Sequence, residues 1–127
     1  MSGDKRRTQL ELQKLQELQK LQKLQGEQIL QDCRARIDKV DDEILRLFKE
    51  RMAIALEVAR YKKAHGMPVL DPAREREKLA LIKGEAGGEM QPYADRLFSL
   101  LFELSRAYQE SHIGKPIPAN DVSECSG

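Results

Sequence analysis

Apolar residues recur at helical spacing along most of the chain, in segments separated by glycine and proline. The first segment, residues 28–64, contains no Pro or Gly and places an apolar side chain every three or four residues. This periodicity predicts one long amphipathic helix that closes at His65 and Gly66. No segment keeps the alternation of a half-buried strand, so the pattern predicts an all-α chain.

Two shorter helices are predicted after the long one. Asp71, which is followed by proline, is a side-chain cap for a second helix that runs to about residue 85 and stops at the Gly pair 87–88. Gln91, also followed by proline, opens a third helix that continues to about residue 111. The chain is therefore expected to contain one very long, one short and one medium helix.

The long helix is preceded by a low-complexity arm, residues 1–27, in which Leu and Gln each recur at every third position. A step of three turns an α-helix by about 300°, which spreads the leucines around the circumference. A coiled coil needs apolar residues at a mean spacing of about 3.5 residues. Because Leu, Gln, Lys and Glu favour helix, we predict a helical extension, with a self-association arm as the alternative. Residues 113–127 are predicted to be a flexible tail.

A predicted helix of this length raises the question of what covers it. About 37 residues would extend for about 55 Å, and the two shorter helices are too short to cover its apolar side. A second copy of the chain is the economical solution, so we expect an intertwined helical homodimer.

Composition narrows the classes of function. The formal net charge of +1 and the absence of Trp argue against nucleic-acid binding. No apolar run is long enough for a membrane span or an export signal, so we expect a cytoplasmic protein with reduced cysteines. No Cys or His spacing fits a metal site, so we expect no metal.

Polar residues interrupt two apolar faces. On the long helix one face carries Ile44, Phe48, Arg51, Ala55, Val58 and Lys62, in steps of four and three. Arg51 and Lys62 lie about 16 Å apart along the axis, so their side chains could converge on one small anion. Alternatively they reach solvent or pair with nearby acids. Buried without a partner, the two cations would cost several kcal/mol.

The third helix also has polar residues on an apolar face, because Ser105 and Gln109 continue the face of Phe98 and Phe102. They offer neutral hydrogen-bond groups, although a polar helix end is the alternative. The charged run 74–78 at the start of the second helix is typical of a solvated face with i,i+4 pairs. The candidate residues contain no nucleophile–base pair, which argues against covalent or hydrolytic catalysis. They suit the binding of a small dianion that carries hydroxyl and ether oxygens.

At these positions the chain resembles the all-α chorismate mutases, from about residue 32 to residue 109. The phrases that carry the resemblance are Cys-Arg34-Ala-Arg-Ile-Asp-Lys-Val-Asp41, Leu-Phe-Lys-Glu-Arg51, Tyr-Lys62-Lys, Pro-Val-Leu-Asp71-Pro-Ala-Arg74-Glu75-Arg-Glu and Leu-Ser105-Arg-Ala-Tyr-Gln109. Their order and spacing together are specific. The resemblance implies a chorismate mutase domain at residues 28–112. The family converts chorismate to prephenate in aromatic amino acid biosynthesis, without a cofactor.

The resemblance also implies roles for eight residues. Arg34 and Arg51 would bind the substrate carboxylates. Lys62 would contact a carboxylate and the ether oxygen, to which Gln109 would donate. The remaining roles fall to Glu75 and the Asp71 backbone, which would hold the ring hydroxyl, and to Arg74 and Ser105, which would complete the polar lining.

Arg34 lies 17 residues before Arg51, which is about 25 Å along one helix. No arginine side chain reaches that far. If both residues contact one substrate, Arg34 must therefore come from the partner subunit, as the shared sites of the family imply. Two alternatives remain for the function: an isochorismate-pyruvate lyase on the same fold, and a regulatory or assembly helical module of a shikimate-pathway enzyme.

Overall fold

The computed structural model describes residues 2–114, with side chains from residue 5 onward. The elements are α1 (Ser2–Ala64), α2 (Pro72–Ala86), a single 3-10 turn (Gly88–Met90) and α3 (Gln91–Ile113). Over the described range no residue is in a β-strand. The predicted all-α class, with three helices of which the first is very long, is confirmed. The predicted flexible tail lies outside the described residues from position 115 onward.

The arm is helical, as its composition predicted, and joins the predicted segment 28–64 in one continuous α1. The chain forms two units, the first up to Arg46 and the second from Leu47 onward. In the first unit the leucines of the arm are exposed, at positions 10, 12, 15, 18, 21 and 24. Near the end of this unit Arg46 donates to Glu43 at 2.9 Å, and this hydrogen bond and charge lower the pKa of the Glu43 carboxyl.

The ends of the helices follow the local signals in the sequence. After α1, Gly66 takes φ +66° and the Met67 N–H donates to the Lys62 carbonyl at 2.8 Å. At the start of α2, an Asp71 carboxylate oxygen accepts from the Arg74 N–H at 3.0 Å, with proline in the first turn. Both predicted boundaries are confirmed.

The core of the second unit is small. Among the described residues its buried side chains are those of Leu56, Ala59, Phe102 and Ser105. Ala59, a small residue of α1 that lines the cavity described below, is only 1% exposed. α3 ends two residues beyond the predicted position, at Ile113, whose carbonyl accepts from Lys63 Nζ of α1 at 2.7 Å.

No helix within residues 2–114 combines the length and the apolar character that crossing a bilayer would require.

Candidate active site

A cavity of about 650 Å³ lies within the second unit. Its walls come from α1, the segment before α2, α2 itself and α3. This volume falls in the range of about 300–1,000 Å³ that is usual for small-molecule sites. Seven of the eight residues that the sequence singled out line it: Arg51, Lys62, Asp71, Arg74, Glu75, Ser105 and Gln109.

The eighth residue, Arg34, belongs to the first unit, where it is exposed on α1. It is not one of the residues that line the cavity within the single chain. Its expected role across a subunit interface therefore stays a prediction.

Arg51 is held by two neighbours on α3, Ser105 and Phe102. Its Nη1 donates to the Ser105 hydroxyl at 2.7 Å, and its Cζ lies 5.4 Å from the centroid of the Phe102 ring, within cation–π range. Ser105 is 6% exposed, and its hydroxyl in turn lies 3.6 Å from Met52 Sδ. A guanidinium carries five N–H donors, so the hydrogen bond to Ser105 leaves others for an anion in the cavity.

The side chain of Gln109 reaches from α3 to α1 in the cavity lining. Its Nε2 donates to the Ala55 carbonyl at 3.0 Å, two helical turns before Lys62. A primary amide has two N–H donors, so one remains for a ligand. Lys62, half-buried on the same face of α1 as Ala55, brings a second cation to the same cavity.

Arg106 is the residue that sequence reasoning missed. It lines the cavity and its Nη1 donates to both carboxylate oxygens of Glu75 on α2, at 2.7 Å for Oε2. Glu75, within the charged run 74–78, therefore pairs with a residue of α3. The prediction that it belongs to a solvated face with i,i+4 pairs was wrong. The signal was present in the sequence, since Arg106 follows Phe102 by one turn and precedes Gln109 by three residues.

The cavity lining is electropositive. Five cationic side chains face three acidic ones: Arg51, Lys62, Arg74, Lys78 and Arg106 against Glu50, Asp71 and Glu75. Apolar residues, among them Val58 and Leu70, complete the walls. Such a site favours a small anion that also carries uncharged oxygens able to accept or donate hydrogen bonds. Among residues 5–114 no group of three or more His, Cys, Asp or Glu could hold a metal ion.

Comparison with known proteins shows to which family the chain belongs. The model of the family Chorismate mutase type II matches residues 33–110. Chorismate mutase of Methanocaldococcus jannaschii is 30% identical over 87 residues, which cover 66% of this chain and 87% of that protein. The chain belongs to the type II chorismate mutase family.

Other relatives are longer or differ in name. The bifunctional chorismate mutase/prephenate dehydratase of Escherichia coli K12 is 33% identical over 99 residues, which is 73% of this chain but 26% of that protein. The 4-amino-4-deoxychorismate mutase of Streptomyces venezuelae is 35% identical over 57 residues, 45% of this chain and 52% of that protein. No solved structure matches the chain significantly.

Proposed function

We propose that the chain catalyses the rearrangement of chorismate to prephenate. The observation that carries the proposal is the convergence of Arg51, Lys62 and Gln109 from two helices on one electropositive cavity. In this pericyclic reaction the ether C–O bond breaks as a C–C bond forms between the enolpyruvyl methylene and the ring carbon that bears the carboxylate. No atom is gained or lost, which fits a site without a nucleophile–base pair.

The first contribution is orientation. Chorismate reacts only when its enolpyruvyl group folds over the ring in a chair-like arrangement. Arg51, fixed by Ser105 and the face of Phe102, would anchor one of the two carboxylates in that geometry. Binding both carboxylates restricts the substrate to reactive conformers, an entropic contribution of the kind that positioning supplies.

The second contribution is electrostatic. Breaking the ether bond places negative charge on the ether oxygen, where Lys62 and the free N–H of Gln109 would donate. A lowering of the barrier by about 8 kcal/mol corresponds to about a millionfold acceleration. One or two such hydrogen bonds, at about 3–4 kcal/mol each, together with orientation can supply it.

The ring hydroxyl would be held at the α2 end of the cavity. Glu75 offers carboxylate oxygens, and the Asp71 backbone lies at the start of the same helix. Arg74 lines the cavity one residue away and would complete the polar contacts. The role of each residue is the one that the family resemblance implies, and its support is the position of the residue in the cavity lining.

We infer that the active enzyme is a homodimer in which Arg34 is contributed by the partner subunit. Along the sequence, apolar residues alternate in steps of three and four at 37, 40, 44, 47, 54, 58 and 61, with Arg51 at the one polar position. The mean step of about 3.5 is that of helices packed together in pairs. All seven apolar side chains are between 47% and 58% exposed in the single chain. Leu47, Ile54 and Val58 also border the cavity, whereas those at 37, 40, 44 and 61 lie outside its lining and are available to a second copy.

A direct assay tests the proposal. The purified full chain and its Arg51→Ala variant are incubated with chorismate, and substrate loss and prephenate formation are measured. Arg60→Ala is the matched control for Arg51→Ala, because Arg60 is an exposed arginine of α1 outside the cavity. Prephenate formation supports the proposal. Incubation with isochorismate separates the lyase alternative, which would release salicylate and pyruvate. A chain that leaves chorismate unchanged at every concentration would instead be a regulatory or assembly module.

A further inference from the structure

Arg106 and Glu75 form an ion pair across the cavity wall. Arg106 Nη1 donates to both carboxylate oxygens of Glu75, at 2.7 Å for Oε2, and thereby joins α3 to α2. The two side chains are 40% and 29% exposed, so the pair is partly shielded from solvent. A charge-assisted contact of this kind fixes the orientation of the carboxylate as well as neutralising it.

We propose that Arg106 is a specificity-determining residue that makes this site select a hydroxyl over a positively charged amino group on the substrate ring. The inference rests on the proposed function, in which Glu75 contacts the ring hydroxyl. Arg106 touches Glu75 in the structure, and it acts on the substrate through that carboxylate.

A hydroxyl carries no net charge and needs only an acceptor. An ionised carboxylate has about four lone-pair positions, so Glu75 can accept from Arg106 and still accept from a substrate hydroxyl. The pair therefore presents an oriented acceptor whose charge is already balanced. Binding the neutral group requires neither partner to leave the other.

An amino group at the same ring position is protonated near neutral pH and behaves differently. Beside an unpaired Glu75 it would gain an ion pair. Beside the Glu75–Arg106 pair it meets a carboxylate that is already neutralised and a guanidinium of like charge only a few ångströms further on. Because like charges in a partly buried site repel, the arrangement selects against the cationic substrate.

The test compares kcat/KM for two probes, chorismate and 4-amino-4-deoxychorismate. The wild-type chain should prefer chorismate. Arg106→Met removes the charge but keeps much of the side-chain volume, and should shift the ratio of the two kcat/KM values toward the amino substrate by about tenfold or more. Arg106→Lys retains the charge and should keep the wild-type preference. Arg96→Met, at an exposed arginine of α3 outside the cavity, is the matched control and should change neither value.

The outcomes separate this inference from the proposed function. If Arg106→Met lowers both kcat/KM values by the same factor, Arg106 only supports the fold of the site and the inference is overturned. A wild-type preference for the amino substrate overturns it as well. If the wild-type chain rearranges neither probe, the proposed function fails, and this inference fails with it. Circular dichroism checks folding, and Arg106→Gln replaces the Met variant if that variant does not fold.

Discussion

The Arg51 guanidinium and the Ser105 hydroxyl meet at 2.7 Å, although the two residues are 54 positions apart in the chain. The hydrogen bond crosses from α1 to α3 and sets the direction of a cation that would otherwise sample many rotamers. Because the Phe102 ring supports the same guanidinium, the group that we propose binds a substrate carboxylate is oriented before any ligand arrives. Preorganisation of this kind lowers the entropic cost of binding a dianion.

Replacing Arg51 should abolish most of the activity. Arg51→Ala removes the charged donor, so the buried Ser105 hydroxyl no longer accepts a hydrogen bond from α1 and keeps only its contact with Met52. Hydrogen bonds to charged groups contribute about 1.5–3 kcal/mol each, so we expect kcat/KM for chorismate to fall about a hundredfold or more. Arg51→Lys should retain part of it, since a lysine keeps the charge but lacks the planar fork. Steady-state kinetics check both, and an Arg51→Ala variant within twofold of wild type would contradict the assignment.

The neutral side chain of Gln109 predicts how activity depends on pH. Gln109 donates at every pH, whereas in Gln109→Glu only the protonated carboxyl can donate to the ether oxygen. Since the ordinary pKa of Glu is about 4.3, the variant should lose kcat/KM as pH rises through about 4 to about 6 and recover it as pH falls. The measurement is kcat/KM against pH for both proteins. Parallel profiles would show that Gln109 does not donate in the transition state.

Shared sites predict that two inactive variants can rescue each other. If each site takes Arg51 from one subunit and Arg34 from the other, Arg34→Ala and Arg51→Ala homodimers have no complete site. A mixed dimer has one complete and one doubly deficient site. After joint unfolding and refolding in equal amounts, random pairing gives mixed dimers in about half of the population and about a quarter of wild-type activity. No recovery, with dimers demonstrated by light scattering, would place Arg34 outside the site.

The cap of α2 should affect stability separately from catalysis. Asp71→Ala removes the side-chain acceptor for the Arg74 N–H and should lower the free energy of unfolding by about 1 kcal/mol. Asp71→Asn keeps the acceptor and is the matched control, expected within about 0.5 kcal/mol of wild type. Because the expected substrate contact of Asp71 is through its backbone, Asp71→Asn should also keep its activity. Urea unfolding and the chorismate assay measure the two effects.

Local order was the part of this protein that its sequence specified most fully. Apolar periodicity predicted the all-α class, and Asp71 with the proline after it located the start of α2. Gly66, in the left-handed region, marked the end of α1 for a reason that is entirely local. These signals succeed because caps and turns depend on residues within a few positions of each other.

Much of the candidate site could also be predicted from the sequence, because the helical spacing that marks an apolar face also shows where a polar residue interrupts it. Arg51, Lys62 and Gln109 were found in this way, and they line one cavity. The family resemblance supplied the remaining roles, which spacing alone did not. For Arg34 the sequence predicted a contact that only an assembly of two chains can test.

What the sequence alone determined is therefore the helices, their ends and the faces on which polar residues stand. Only the tertiary structure decided that Glu75 pairs with Arg106 on α3, rather than with a lysine or arginine of its own helix. The physical reason is that i,i+4 pairing is fixed by helix geometry, whereas pairing between helices depends on how they pack. The charge pattern of α2 fits a solvated face and a cavity wall equally well, and the approach of α3 selects between them.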